Sequence, residues 1–269
     1  MPQLTSRHRS LAFSVLVLVA SVFLFGACDS TGPSTQMSNV QVGFATTYSP
    51  SASSTPETGP AAKSSHDSLV VSGSNGTLKI TDLHLIVSGV ELESDADSAD
   101  FEAGPAFLDL PLDTTEVAPV TTAQIPPANY DEFEFEVEDV DIEENDEDEQ
   151  QLQDLRESIR EDFPNWPEGA SMVAVGTFTQ SDGTTSDFTA YFEAEIEVER
   201  ETNTPLGLTG AGISRSLTVN LDPTRWFSNA DGTVQNLGEL DYGSTGELIE
   251  FEAEFEDGVA EIEVNDADE

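Results

Sequence analysis

The stretch YDEFEFEVEDVDIEENDEDEQ, Tyr130 to Gln150, changes character half-way along. Phe133, Phe135 and Val137 alternate with Glu134, Glu136 and Glu138. A period of two puts the apolar set on one face and the acids on the other, which predicts a half-buried strand. From Glu143 to Glu149 almost every residue is acidic. Such a run has nothing to bury and predicts a solvated connection.

Downstream, EQQLQDLRESIREDF places Leu152, Leu155, Ile159 and Phe163 at helical spacing. Acids crowd its start and Arg156 and Arg160 lie toward its end, matching the helix dipole. Pro164 stops it. This predicts one short amphipathic helix laid on a sheet. SMVAVGTFTQ and SDFTAYFEAEIEVE then predict a hairpin around Ser181-Asp182-Gly183. In its second arm Phe188, Ala190, Phe192, Ala194, Ile196 and Val198 point in, while Tyr191, Glu193, Glu195, Glu197 and Glu199 point out. SRSLTVNLD is a further strand, ended by Pro223, and NADGTV is a turn. Residues 247–264 fit strand and helix patterns alike; strands joined by an Asp257-Gly258 turn are the preferred reading.

Upstream, TLKITDLHLIVSGVELES is a long strand signal whose parity slips twice. Leu78 and Ile80 share one face, Leu83, Leu85 and Val87 the other, and Val90 and Leu92 switch back. Each slip flips the buried face, so bulges are expected near Thr81-Asp82 and Gly89. SDADSADFEAGP is an acidic loop, and AFLDLPL a short strand ended by Pro111. About seven to nine strands with turn-rich connections predict a mainly β fold. The expected architecture is an antiparallel β-sandwich, Ig-like or transthyretin-like, with that one short helix.

The N-terminus carries an address. Arg7 and Arg9 precede an apolar run from Leu11 to Phe25, too short for a comfortable membrane span. The run ends in Leu24-Phe25-Gly26-Ala27-Cys28, which resembles the lipobox of bacterial lipoproteins, with Phe25 where Leu is usual. The resemblance implies cleavage before Cys28 and a lipid on its sulfur. The expected organisation is a signal peptide over 1–27, a Ser/Thr/Pro-rich tether over 28–68 with a weak strand signal at Val40 to Ala45, and a β domain over 69–265. The alternative to one such domain is two sub-domains meeting near 145–168. The expected location is the cell envelope, held to the outer membrane by the lipid. Cys28 is the single cysteine, so no internal disulfide or thiolate metal cluster can form.

The chain has 53 acidic and 9 basic residues, a formal charge of −44. Nucleic acid is excluded as a partner, because binding needs basic groups to displace counterions. The acids are spread over nearly every segment after residue 90. This spread and the scarcity of lysine (Lys63 and Lys79) resemble the proteins of salt-accumulating halophiles. At about 1 M salt the Debye length is about 3 Å and carboxylates cease to repel.

IPPANYDEFEFEVEDV, together with LKITDLHLIVSGVELES and FLDLPL, resembles the lipoprotein group gathered under domain of unknown function 4382. There a "pAGxYdxi" turn leads into a strand; here it reads Pro126-Pro127-Ala128-Asn129-Tyr130-Asp131, with Asn129 in place of glycine. The resemblance spans roughly residues 75 to 255 and implies a β-sandwich on a lipid tether, without catalytic residues.

Candidate sites are few. Asp82 and His84 share a strand face and would make half of a catalytic triad, or else sit on a solvated face. No Gly-x-Ser-x-Gly elbow or phosphate-binding glycine loop occurs, and with so many acids a glycosidase carboxylate pair would arise by chance. Calcium is the one cofactor weighed. Asp95 and Asp97 in one loop, and Asp139, Asp141 and Glu143 in another, offer carboxylates without the glycine turn of an EF-hand. Trp166 and Trp226 are candidate platforms for a sugar ring, or plugs at the ends of a sandwich. The reading is a non-enzymatic envelope protein of unknown glycan or protein ligand. A calcium-dependent or carbohydrate-binding module stands second and a polysaccharide hydrolase third.

Overall fold

A computed structural model describes residues 37–48, 68–94, 100–139, 149–208, 213–251 and 253–266. Cys28, Asp95, Asp97, Asp141 and Glu143 lie outside the described residues.

The chain is mainly β, in two sheets. Four strands, β1 (Ser38–Thr46), β6 (Ala118–Ile125), β11 (Ser214–Leu221) and β13 (Val259–Asp266), form the smaller one in the order β13-β11-β1-β6. The larger, nine-stranded sheet is built on β3 (Gly76–Ser94). Its other members are β2 (Leu69–Gly73), β4 (Phe101–Ala103), β5 (Ala106–Asp109), β7 (Asn129–Val137), β8 (Met172–Gln180), β9 (Thr185–Glu193), β10 (Ile196–Gly207) and β12 (Ile249–Glu250). Among the described residues four helices accompany them in place of the one expected: the amphipathic α1 (Glu149–Asp162) and the short α2 (Pro223–Trp226), α3 (Tyr242–Thr245) and α4 (Ala253–Asp257). No helix among the described residues is long and apolar enough to cross a membrane.

β3 serves two neighbourhoods in succession. Its first half pairs with β8 and its second half with β7. Leu85 and Val87 both face β5 across one edge, while Leu85 faces β8 and Val87 faces β7 across the other. β8 and β7 therefore follow one another along a single edge of β3. Two register shifts, between Ile80 and Asp82 and between Val87 and Gly89, fall where the sequence slips parity, and a third falls between Glu93 and Ser94. At the first shift the strands approach so closely that a Cβ on Gly176 would lie 2.0 Å from the Lys79 carbonyl oxygen.

One apolar core joins the sheets. Val40, Val42 and Phe44 of β1 pack with Leu83, Leu85, Phe133, Phe135, Phe192, Leu217 and Val219, all fully buried. The rings of Phe44 and Phe135 meet edge to face at 5.2 Å.

Four expectations need correction. The tether expected over 28–68 contains β1, which is central in its sheet. β1 runs parallel to β11 and antiparallel to β6. The wholly antiparallel arrangement fails at that pair and again at β12 and β9. The continuous strand expected over Ser186–Glu199 is two strands, broken at Ala194-Glu195. Residues 247–264 hold two strands, β12 and most of β13, but in different sheets and with α4 between them, in place of a hairpin turning at Asp257-Gly258.

Candidate functional site

The outward face of the nine-stranded sheet is divided into two regions with different chemistry. Over β4, the second half of β3, β7 and β10, the side chains are glutamates. Strand register sets Glu102, Glu91, Glu134 and Glu199 in one row across four strands. Glu136 stands beside Glu197 in the next row. Burial, followed by the charges of neighbouring acids, pushes the carboxyl groups of Glu91 and Glu134 above the ordinary range. Glu134, Glu136 and Glu197 each bring a carboxylate oxygen within 4.8 Å of the others.

The other region, over the first half of β3, β5, β8 and β9, is covered. α1 lays Leu152 and Ile159 on Ile86 and the half-buried Phe107 and Trp166, as its apolar stripe predicts. Beyond Pro164 the chain turns back into β8, and the Trp166 indole donates to the Ala170 carbonyl at 3.0 Å. α3 is fastened from the opposite side. The Thr189 amide of β9 donates to Asp241 at 3.1 Å, and the Ser244 hydroxyl donates to the same carboxylate at 2.8 Å. The Thr189 bond is the main reason the Asp241 carboxyl is held below the usual range.

Between α1 and α3 lies an open groove of about 770 Å³, lined chiefly by Asp82, Asp162, Phe163, Tyr191, Asp241 and Tyr242. A shallower depression of about 490 Å³ adjoins it over Val175, Thr177 and Asp187. Among the described residues that line these two spaces none is basic. Aromatic rings continue beneath the groove: Trp166 meets Tyr191 at 5.4 Å and Tyr191 meets Tyr242 at 5.2 Å, both edge to face. Tyr191 is 5% exposed, and burial followed by Tyr242 raises its phenol above the ordinary value. The alternation placed Tyr191 on the solvent face; instead it is buried beneath Trp166 and Tyr242.

At one end of the groove the Asp82–His84 pair forms as the shared face allows, with His84 Nε2 2.6 Å from Asp82 Oδ1. Asp82 remains half-exposed, but the imidazole is not on a solvated face. His84 is 7% exposed, stacked on Phe107 at 5.0 Å and met edgewise by Phe163 at 5.0 Å. Its Nδ1 is buried and without a hydrogen-bond partner. A triad needs that second nitrogen joined to a further group, so the relay stops at the pair.

The other candidates separate. Asp139 lies just past the end of β7, half-buried. Trp226 is fully buried, stacked on Phe255 at 4.7 Å, with its indole donating to the Phe255 carbonyl at 3.1 Å. It plugs the core and cannot serve as a sugar platform. Trp166 is half-buried in the groove's aromatic bed. Arg225 pairs with Asp222 at 3.4 Å. The groove residues Asp241 and Tyr242 were not singled out from sequence. The available signal was Tyr191, an aromatic on a face otherwise continued by Glu193, Glu195 and Glu197.

Scans against family models, curated proteins and solved structures each found no match to this chain.

Proposed function

We propose that this chain is an exported, lipid-anchored protein of the bacterial cell envelope, related to the domain of unknown function 4382 lipoproteins. In this reading its folded part is a β-sandwich, Ig-like or transthyretin-like, and a non-enzymatic binding module. The ligand seats in the groove between α1 and α3. The observation that carries the reading is the chemistry of that groove: aromatic faces, carboxylates and no basic side chain among its described lining residues. Aromatic rings stack on the C–H faces of sugars, and carboxylates accept from sugar hydroxyls. An anionic ligand would be repelled. A neutral glycan segment suits the lining best. The Tyr191 phenol, nine-tenths buried at the groove's floor, adds a polar tip to an apolar bed.

The glutamate rows supply the second part of the reading. They are an adaptation to concentrated salt, in which screening removes their mutual repulsion. A glycan screen in about 1 M KCl tests the module. Binding that is lost in Tyr242→Ala supports it; binding unchanged in that variant removes the groove from the reading. Radioactive palmitate incorporation, compared with Cys28→Ala, tests the anchor, and equal labelling of both chains refutes it.

One observation favours a second reading, a calcium-dependent adhesion module. Glu134, Glu136 and Glu197 converge within the span of a single oxygen-ligated cation. A saturable calcium isotherm at high salt, abolished by Glu136→Gln, would move the site from the groove to this face.

A further inference from the structure

We propose that Asp82, His84 and Asp109 form a site for one borderline divalent transition-metal ion, of which Zn²⁺ is the representative. The site adjoins one end of the glycan groove, sharing Asp82 with its lining, and the metal goes beyond the reading above.

Strand register creates the constellation. Residues two apart on a strand share a face, so Asp82 and His84 project together from β3. The direct cross-strand partner of His84 is Asp109 of β5. Three side chains on two adjacent strands thus aim at one point. His84 Nε2 lies 2.6 Å from Asp82 Oδ1 and 3.8 Å from Asp109 Oδ1, and one donor atom from each residue falls within 4.8 Å of the others. An ion with bonds of about 2.0–2.2 Å to imidazole and carboxylate fits among such donors after a small rotation of the acids. Asp109 has that freedom, because its side chain is 78% exposed.

The imidazole is the pre-organised member. Phe107 lies nearly parallel to it, 16° between planes, and Phe163 closes its flank. The ring is nine-tenths buried and presents its Nε2 edge to the two carboxylates. A hydrogen bond needs one of those carboxylates; register delivers a second to the same nitrogen. Nitrogen beside oxygen selects zinc, nickel or copper over calcium and magnesium, which take oxygen alone. Two carboxylates offset the charge of the ion, and their exposure leaves its remaining positions to water.

The buried Nδ1 sets the strength and supplies the signature. Metal-ligating histidines usually donate from the second nitrogen to an acceptor. His84 Nδ1 has none, so the site is of moderate affinity. Without metal, an ionised Asp82 can only accept, so Nε2 carries the proton. With metal on Nε2 the proton must sit on Nδ1. Diffuse condensation of cations on an acidic surface cannot produce that change of tautomer.

The test is long-range ¹H–¹⁵N NMR of the full chain labelled in histidine, which has three histidines to resolve. His66→Gln aids the assignment of His84. Zinc is titrated in about 1 M salt, where diffuse binding is screened. The expected result is a saturable conversion of His84 from the Nε2–H to the Nδ1–H form at one equivalent. Asp109→Asn, at an exposed position that leaves the fold intact, is expected to weaken it at least ~10-fold. His84 remaining Nε2-protonated at millimolar zinc would overturn the site. An unchanged affinity in Asp109→Asn would overturn the three-residue set.

Discussion

Phe44 of β1 meets Phe135 of β7 edge to face, with ring centroids 5.2 Å apart, and so joins the two sheets across the core. Phe44 belongs to a segment whose composition reads as tether. Its burial makes that segment part of the folding unit. A chain beginning at residue 37 is expected to fold cooperatively, and one beginning at residue 69, which lacks β1, is expected to stay unfolded. Phe44→Ala should cost about 3–5 kcal/mol, read from denaturant unfolding at high salt. An unperturbed midpoint in the chain beginning at residue 69, or in Phe44→Ala, would refute the placement.

The glutamate rows make stability depend on pH and salt together. The Glu91 and Glu134 carboxyls are raised in the folded state, so the folded chain holds more protons than the unfolded one between the ordinary and the raised values. Stability therefore falls as pH rises through that window. Asp241 has the opposite sign: its contribution is present above the unfolded value and is lost as pH falls through the lowered one. In dilute buffer the melting temperature should climb as pH drops from neutrality toward the upper edge of the carboxylate range, then decline. At about 1 M salt or more the climb should flatten. Glu134→Gln should stabilise by roughly 0.2–1 kcal/mol in dilute buffer and by less in brine. Equal melting temperatures in dilute and concentrated KCl would end the salt-adaptation account.

Gly258 marks a contact with no slack. A Cβ there would lie 1.9 Å from the Trp226 indole nitrogen, which is fully buried and donates to the Phe255 carbonyl. Gly258→Ala must displace a ring packed among Phe227, Phe251 and Phe255. A loss of about 1–3 kcal/mol is expected, with a shift in tryptophan fluorescence. Retained stability would mean that the indole has room to move.

Asp241 is the fastening of the groove's second wall. Asp241→Ala removes the acceptor of the Thr189 amide and should cost about 1 kcal/mol in stability. Its more telling effect is local: the Thr189 amide and α3 should exchange hydrogen faster while the β8–β3 ladder is unchanged. Uniform acceleration across the sheet would show a global effect instead.

Much of the larger sheet was legible from local pattern. The period of two put Phe133, Phe135 and Val137 inside and Glu134 and Glu136 outside, and they are so placed. The two parity slips in β3 located the register shifts at Ile80/Asp82 and Val87/Gly89, because a pleated strand cannot change its buried face without one; a third, at Glu93/Ser94, had no such signal. The helical stripe over Leu152 to Ile159 gave a helix that packs through those residues. The site was less legible. The Asp82–His84 pair follows from spacing, but Asp109 joins it only through the pairing of β5 with β3. Tyr191 lies on the outward parity and is buried because α1, α3 and the Trp166 loop cover that part of the face.

What the sequence by itself determined is which residues prefer to face inward within each segment, since the 2.0 and 3.6 periods are properties of the local backbone. It also determined the extreme acidity. Tertiary structure decided what needs partners far apart in the chain. β1 is a strand because residues 39–46 lie beside residues 214–221, a pairing that no local period announces. The same non-local packing buries His84 under Phe107 and Phe163, seals Trp226 into the core, and opens a groove on a face that the alternation alone assigns to water.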